Sequence, residues 1–149
     1  MPERKIRMEE KNTRQLEDAL QQAGSIEDFL QKNKASLQPF TLAEYLEKLL
    51  AEKHLDKAAV VHASGLERSH AYHIFAGKKH PSRPKVLALA LAMQLTPKET
   101  QYLLHYAGVG QLYVRDPWDS ILWHALERHL STADTNLLLD QLNELPLLE

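Results

Sequence analysis

Residues 55–78 read LDKAAVVHASGLERSHAYHIFAGK, in which Gly65 separates two short segments with helical periodicity. The first segment follows Asp56, whose carboxylate can accept a hydrogen bond from an unpaired amide of the first turn. The second segment ends at Gly77, a residue type that commonly terminates helices. Two short helices joined by a tight glycine turn have the geometry of a helix-turn-helix, so these residues predict a helical domain built around that pair.

The second helix of the pair, predicted over 67–76, has two chemically different sides. Val60, Leu66 and Ile74 have the spacing that packs both helices onto a core. The opposite side carries polar and basic residues: Arg68, Ser69, His70 and His73. A helix of this kind fits the major groove of B-DNA, which is about 12 Å wide, and presents its N-terminal turns to base edges.

Helix starts are marked along the whole chain by N-cap residues, often followed by an acid within the first turn. Such caps occur at Ser25, Thr41, Thr96, Asp116 and Ser131, and Asp56 and Ser82 are further candidates. Apolar residues recur at three- and four-residue steps after each cap. Nine helices are predicted, at 12–23, 26–36, 41–53, 56–64, 67–76, 83–93, 97–107, 117–130 and 132–143.

The predicted fold is therefore all-α, and we divide it into three parts. Residues 1–38 are expected to form an N-terminal helical arm, of which roughly the first ten residues are disordered. Residues 39–110 are expected to form the helix-turn-helix domain, with five helices. Residues 111–149 are expected to form a C-terminal helical hairpin for oligomerisation or partner binding.

An internal echo links the last two parts. A shift of 35 places Ala90-Leu91 on Ala125-Leu126, Glu99-Thr100 on Asp134-Thr135, and Leu112 on Leu147. The echo predicts two copies of one unit, in which a helix is followed by a loop and then by a capped helix. Two copies are too few for a solenoid with a continuous core, and chance similarity between leucine-rich helices is the alternative explanation.

Charge is distributed unevenly along the chain. Residues 1–40 are neutral, residues 41–85 carry a net charge of +3, and residues 86–149 carry −5. Five basic residues and three histidines fall between positions 67 and 85, against one acid. A basic stripe on an otherwise acidic protein is what an oriented contact with DNA requires, although a solvated surface has the same composition.

The composition limits where the protein works. The chain has no cysteine, which rules out disulfides and thiol chemistry and is typical of a reducing cytosol. The first eleven residues are charged and have no apolar core of a signal peptide. No apolar run approaches the roughly 18 residues that a membrane span needs. We therefore expect a cytoplasmic protein with no membrane contact.

The helix-turn-helix segment resembles the xenobiotic-response-element family, whose members include phage repressors and Cro. The resemblance covers about 55 residues, roughly 41–95, and is carried by Ser64-Gly65-Leu66, Ile74, Gly77-Lys78-Lys79, Pro81-Ser82 and the leucines at 87, 91 and 95. Three positions depart from the family pattern. Lys57 replaces the usual glutamine, Val61 replaces a small residue, and Glu67 replaces the usual Ser or Thr before the second helix.

The resemblance implies a dimeric, double-stranded-DNA-binding domain, often a repressor or an antitoxin. It implies base contacts from Arg68, Ser69, His70 and His73, with Arg68 paired to guanine. It also implies phosphate contacts that set position rather than sequence, from Lys57, Lys78, Lys79 and Arg83. His70 can take either role.

Other chemistries have weaker support. His70 and His73 lie one turn apart, but no cysteine or acid completes a metal site. Glycine-rich phosphate loops, nucleophile elbows and paired carboxylates are absent from the sequence, so we expect neither an enzyme nor a cofactor. His124 and His129 share a helical segment with Trp118 and Trp123, where packing is the simpler explanation.

Two functions from different classes remain. The first is a DNA-binding transcriptional regulator, expected to be a repressor, that acts as a homodimer. The second is an antitoxin-like module that binds and neutralises a partner protein through the arm or the hairpin, with weak or no DNA binding. The basic run that ends at Lys85 favours the first, whereas Glu67 and the acidic last third favour the second.

Overall fold

A computed structural model describes residues 13–37 and 40–149, and these residues form nine α-helices and no strand. The chain divides into a unit that ends at Phe40 and a unit from Thr41 to Glu149. The first contains α1 (Thr13–Gln22), α2 (Ile26–Lys32) and a 3-10 turn at Lys34–Ser36. The disorder predicted for the first ten residues lies outside the described residues. No helix in the described ranges is long and apolar enough to cross a bilayer.

The second unit contains the other seven helices. They are α3 (Leu42–Glu52), α4 (Lys57–Ser64), α5 (Arg68–Phe75), α6 (Arg83–Ala92), α7 (Pro97–Tyr106), α8 (Pro117–Glu127) and α9 (Thr132–Gln141). All nine helices overlap the predicted ones, and their ends differ from the predictions by at most four residues. The all-α class is therefore confirmed.

The N-caps explain this agreement, because capping is a local property that depends on few residues. Thr41 and Thr96 each accept a hydrogen bond from the amide of the third helical residue, whose glutamate accepts the cap's own N–H in return. Asp56, Asp116 and Ser131 each cap through one such bond. A different arrangement occurs at the start of α6, where Ser82 occupies the N-cap position without a side-chain bond.

Helix α6 lies at the centre of the second unit. Its residues from Val86 to Leu91 are all buried, and the helix packs against α4, α7, α8 and α9. A helix that is apolar on every side has no solvent face, so it must be surrounded. Residues 86–92, with the sequence VLALALA, are apolar on every side in this way, whereas Arg83 and Lys85 in the first turn are charged and half-buried.

The predicted boundary at residue 110 falls inside this compact unit. Leu122, Leu126 and Leu139 of the predicted C-terminal hairpin are completely buried, and both of its helices pack against α6. Residues 111–149 thus contribute to the same core as the helices before them. Removing these residues would expose apolar surface on α6, so the hairpin is part of the fold rather than an appendage.

The 35-residue echo corresponds to a repeated helix corner. Gln94 and His129 both adopt left-handed backbone, with φ of 55° and 53°. In each corner the following leucine donates its N–H to a carbonyl five residues earlier, at 3.1 Å after Gln94 and 3.0 Å after His129. The next helix then carries a buried threonine, Thr100 or Thr135, whose hydroxyl bonds to the carbonyl of the N-cap residue.

In each copy of the repeat, a side-chain amide on the second helix forms hydrogen bonds with the backbone of the segment that follows. The Gln101 amide accepts the N–H of Leu112 at 2.7 Å and donates to its carbonyl at 2.9 Å. Asn136, 35 residues later, accepts the N–H of Leu147 at 2.6 Å and donates to the carbonyl of Leu148 at 2.9 Å. Leu112 and Leu147 are both buried. The α6–α7 and α8–α9 pairs therefore share the same left-handed corner, the same buried threonine and the same kind of amide bridge to a buried leucine.

Candidate nucleic-acid interface

The turn between α4 and α5 is fixed by glycine and serine. Gly65 ends α4 with a φ of 75°, a left-handed conformation that costs other L-residues roughly 1–2 kcal/mol. The buried Ser64 hydroxyl donates to the carbonyl of Val61 at 2.7 Å and accepts the N–H of Leu66 at 3.2 Å. These bonds replace the helix bonds lost at the turn, so α5 leaves α4 in a defined direction.

The two sides of α5 differ in burial. Ala71, Ile74 and Phe75 are buried, and α5 packs against α3 and α4. The predicted base-contacting residues lie on the same helix: Arg68, Ser69 and His73 are exposed and His70 is half-buried. The guanidinium of Arg68 lies 5.8 Å from the centre of the Tyr72 ring. The structure thus places all four residues on one short helix, three of them open to solvent.

Two of the predicted phosphate-contacting residues follow α5 directly. Gly77 takes a φ of 77°, and Lys78 donates its N–H to the carbonyl of His73 at 2.9 Å, which closes the end of the helix. Lys78, Lys79 and His80 are all exposed after this turn. The C-terminal end of α5 therefore carries two lysines that are open to solvent.

Lys57 lies beside the same end of α5. Its ammonium is 5.5 Å from the centre of the Phe75 ring, although it belongs to the first turn of α4. It also forms an ion pair with Glu47 of α3. Lys57 therefore joins the basic surface at the end of α5, but a carboxylate already offsets part of its charge.

Lys85 is a residue of this surface that we did not single out from the sequence. Its Nζ lies 3.1 Å from Nε2 of His70, which joins α6 to α5. An ammonium group can only donate, so Nε2 is the acceptor in this contact. The run of basic residues that ends at position 85 includes Lys85, but its contact with His70 is seen only in the folded structure.

Arg83 has a different environment from the other predicted phosphate contacts. Its guanidinium donates to both carboxylate oxygens of Asp119, at 3.0 and 2.8 Å. It also donates to the carbonyls of Gly110 and Gln111, at 2.8 and 3.0 Å, and it lies 5.8 Å from the Trp118 ring. Four of its five N–H groups are thus used within the protein, so Arg83 joins α6 to α8 and the loop before it.

Glu67 is the N-cap of α5. Its carboxylate accepts the N–H of Ser69 at 3.1 Å and the N–H of His70 at 2.7 Å. These backbone hydrogen bonds, first that of His70 and then that of Ser69, lower the pKa of the carboxyl below its usual value. The residue that departs from the family pattern therefore still performs the capping role of Ser or Thr, and it adds a negative charge at the positive end of the helix dipole.

We expect Glu67→Ala to destabilise the protein at neutral pH, because two amides of α5 lose their acceptor. The folded-state pKa is lowered, so this stabilisation is present above the pKa of the unfolded state and is lost as pH falls through the folded-state value. Thermal melting of both proteins between about pH 2 and 7 tests this. Their melting temperatures should converge in acid, and a constant difference across the range would contradict a charged cap. Glu67→Ser, a neutral cap, is the control.

Comparison of the chain with protein-family models, with curated proteins and with solved structures returned no match. Among residues 13–37 and 40–149, no group of three His, Cys, Asp or Glu side chains is arranged to hold a metal ion.

Proposed function

We propose that the chain is a sequence-specific DNA-binding regulator, a repressor, whose α5 enters the major groove. The observation that supports this proposal most directly is that one side of α5 is buried and the other is exposed. Ile74 and Phe75 hold one side in the core, while Arg68, Ser69 and His73 stand exposed on the other. Such a helix is held rigidly and presents donors and acceptors to base edges without rearrangement.

Positive charge around α5 supports the same proposal. Lys78 and Lys79 are exposed at its C-terminal end, Lys57 lies beside Phe75, and Lys85 contacts His70. Lysines around a recognition helix fix its position by contacting phosphates on both sides of the groove. Arg83 is not part of this proposed phosphate-contacting set, because its donors are used by Asp119 and by two carbonyls.

The proposed regulator belongs to the repressor-like class of five-helix helix-turn-helix domains, with α3 to α7 as the five helices. It works in the cytoplasm as a homodimer, since two copies related by a two-fold axis would bind two half-sites about one helical turn apart. The proposal requires neither catalysis nor a cofactor. Selection of binding sites from a random duplex library tests it directly. Recovery of a two-fold symmetric motif would support it, and recovery of no motif would refute it.

Lys78 and Lys79 should carry affinity for DNA of any sequence. Each phosphate contact releases counterions, so we expect Lys78→Ala and Lys79→Ala each to flatten the slope of log affinity against log salt by about 0.9. Fluorescence anisotropy on one selected and one scrambled duplex, at several salt concentrations, measures this slope. Lys98→Ala, which removes an exposed lysine on α7, is the control. Equal slopes for all four proteins would remove the lysines from the DNA surface.

A second function is favoured by the carboxylates near α5. Glu67 and Asp56 cap the two helices of the motif with negative charge, and residues 86–149 carry a net charge of −5. An antitoxin-like module that binds a protein through this scaffold would tolerate those charges, whereas phosphates are repelled by them. Under this alternative, the affinity for duplex DNA should remain weak and equal for every sequence.

A further inference from the structure

In the first copy of the repeat, helix α3 covers one face of α7. The rings of Tyr45 on α3 and Tyr106 on α7 lie 4.7 Å apart. Lys53 at the end of α3 forms a 3.0 Å ion pair with Glu99 in the first turn of α7. Leu103, between these two contacts, is completely buried. An aromatic contact at one end and an ion pair at the other therefore define how a helix docks on this unit.

The matching face of α9 has no such cover. Adding 35 to Glu99, Tyr102, Leu103 and Tyr106 gives Asp134, Leu137, Leu138 and Gln141. Asp134 and Gln141 are exposed, Leu138 is only half-buried, and Leu137 is 55% exposed. None of the ion pairs among the described residues includes Asp134. The second copy thus keeps the acid and the apolar centre, but residues 41–149 supply no helix to cover them.

Exposed leucines continue past the end of α9. Leu142 is 53% exposed and Leu145 is 78% exposed, whereas the equivalent positions in the first copy are Ala107 and Gly110. Leu138 and the C-cap residue Leu142 are one helical turn apart and so share one side of α9, whereas Leu145 follows the left-handed Asn143, outside the helix. Exposed apolar patches such as the one formed by Leu137, Leu138 and Leu142 mark sites of protein contact.

We propose that this outer face of α9 docks an amphipathic helix of a partner protein, one that carries an apolar stripe and a basic residue placed to pair with Asp134. The first copy supplies the template, because α3 presents Tyr45 and Lys53 to α7 in that arrangement. The charge of −5 on residues 86–149 favours a basic partner. A second copy of this face is disfavoured, because Asp134, Leu137, Leu138 and Gln141 include no basic residue that could pair with Asp134. The proposal does not depend on DNA binding.

A peptide with the sequence of residues 41–55, acetylated and amidated at its ends, is the probe, because it carries the residues of α3 that dock on α7. It is titrated into the full-length, isotopically labelled protein and followed by amide NMR. We expect saturable shifts centred on 134–142. Peptides of this length are only partly helical in water, so a version with a covalent helix staple on its outward side is measured in parallel and should bind more tightly.

Charge reversal tests the pairing with Asp134. A peptide with the Lys53→Glu change should bind about two- to fivefold more weakly, which is the range of an exposed ion pair. The protein variant Asp134→Lys should reverse this preference and bind the changed peptide better. Leu137→Asp should weaken both peptides by about tenfold, and because the side chain is exposed, circular dichroism should show an unchanged fold.

Three results would overturn the proposal. The first is the absence of shifts in α9 with the stapled peptide. The second is shifts confined to α3 and α7, which would mean that the peptide only displaces α3. The third is shifts at 134–142 that depend on protein concentration alone, which would assign the face to a second copy of this chain.

Discussion

Arg83→Ala should lower the free energy of unfolding by about 2–3 kcal/mol, which is a large share of the stability of a domain this size. The Asp119 side chain is only 8% exposed, and Arg83 supplies two of its hydrogen bonds. Without the guanidinium, the carboxylate keeps the N–H of Tyr113 at 2.8 Å as its remaining partner from another residue. A buried charge left in this way is costly, although partial exposure of Arg83 keeps the loss below that of a fully buried pair.

Urea denaturation of the wild type, Arg83→Ala and Arg83→Lys measures this effect. Lysine keeps the charge but not the planar fork that reaches two oxygens and two carbonyls at once, so it should recover only part of the loss. Asp119→Asn is the matched change on the partner and should destabilise the protein as well. In a double-mutant cycle that combines Arg83→Ala with Asp119→Asn, the loss in free energy of unfolding should differ strongly from the sum of the two single losses.

The same variant separates the internal role of Arg83 from the phosphate contact that the family resemblance implied. An internal tether predicts a large loss of stability and a salt dependence of DNA affinity that stays the same. A phosphate contact predicts little loss of stability and a slope flattened by about 0.9. If Arg83→Ala remains within about 0.5 kcal/mol of the wild type, as exposed surface changes usually do, Arg83 does not act as an internal tether.

The sequence predicted the helices well because each start is encoded within four residues. Thr41 and Glu44, or Thr96 and Glu99, form a capping box whatever the rest of the chain does. The bond between Arg83 and Asp119 could not be predicted in this way, because the residues are 36 positions apart and only the packed fold brings them together. The packing of residues 111–149 onto α6 has the same origin, since α6 buries its sides against helices that come later in the chain.

The repeat was visible in part. The matching leucines at 112 and 147 indicate the repeat, but the polar residues that bond to them, Gln101 and Asn136, are different residue types and do not match by identity. Glutamine and asparagine are different residue types, but both side chains end in the same amide group. This group offers the backbone one acceptor oxygen and two donor N–H groups. Comparing side-chain chemistry rather than identity at a shift of 35 would have found both amides.

In the proposed interface, too, some features can be predicted from the local sequence, whereas others are seen only in the folded structure. The exposed side of α5 follows from helical periodicity and from the burial of Ile74. In the sequence, Glu67 is a departure from the family pattern that favours the protein-binding function, whereas the structure shows that it is the cap of α5. Both descriptions hold for the same carboxylate, so Glu67 stabilises the helix that we propose enters DNA while it opposes the approach of phosphates.

Arg68 should be the residue on which base recognition depends most. It occupies the first position of α5, and its side chain is exposed beside Tyr72. Its planar guanidinium can pair with O6 and N7 of one guanine, and loss of one such contact costs roughly 1–3 kcal/mol. We therefore expect Arg68→Ala to weaken binding to a selected site by about five- to more than a hundredfold, and to relax preference at one base pair.

Arg68→Lys separates charge from recognition in this experiment. Lysine keeps the positive charge but lacks the fork, so it should preserve affinity for scrambled DNA while losing most of the preference for guanine. Competition binding on the selected duplex, on four single-base variants and on a scrambled duplex measures all three proteins. Unfolding curves should coincide for the three, because an exposed side chain adds little to the core. If neither variant changes affinity or base preference, α5 is not a recognition helix, and the protein-binding function becomes the better account of the same scaffold.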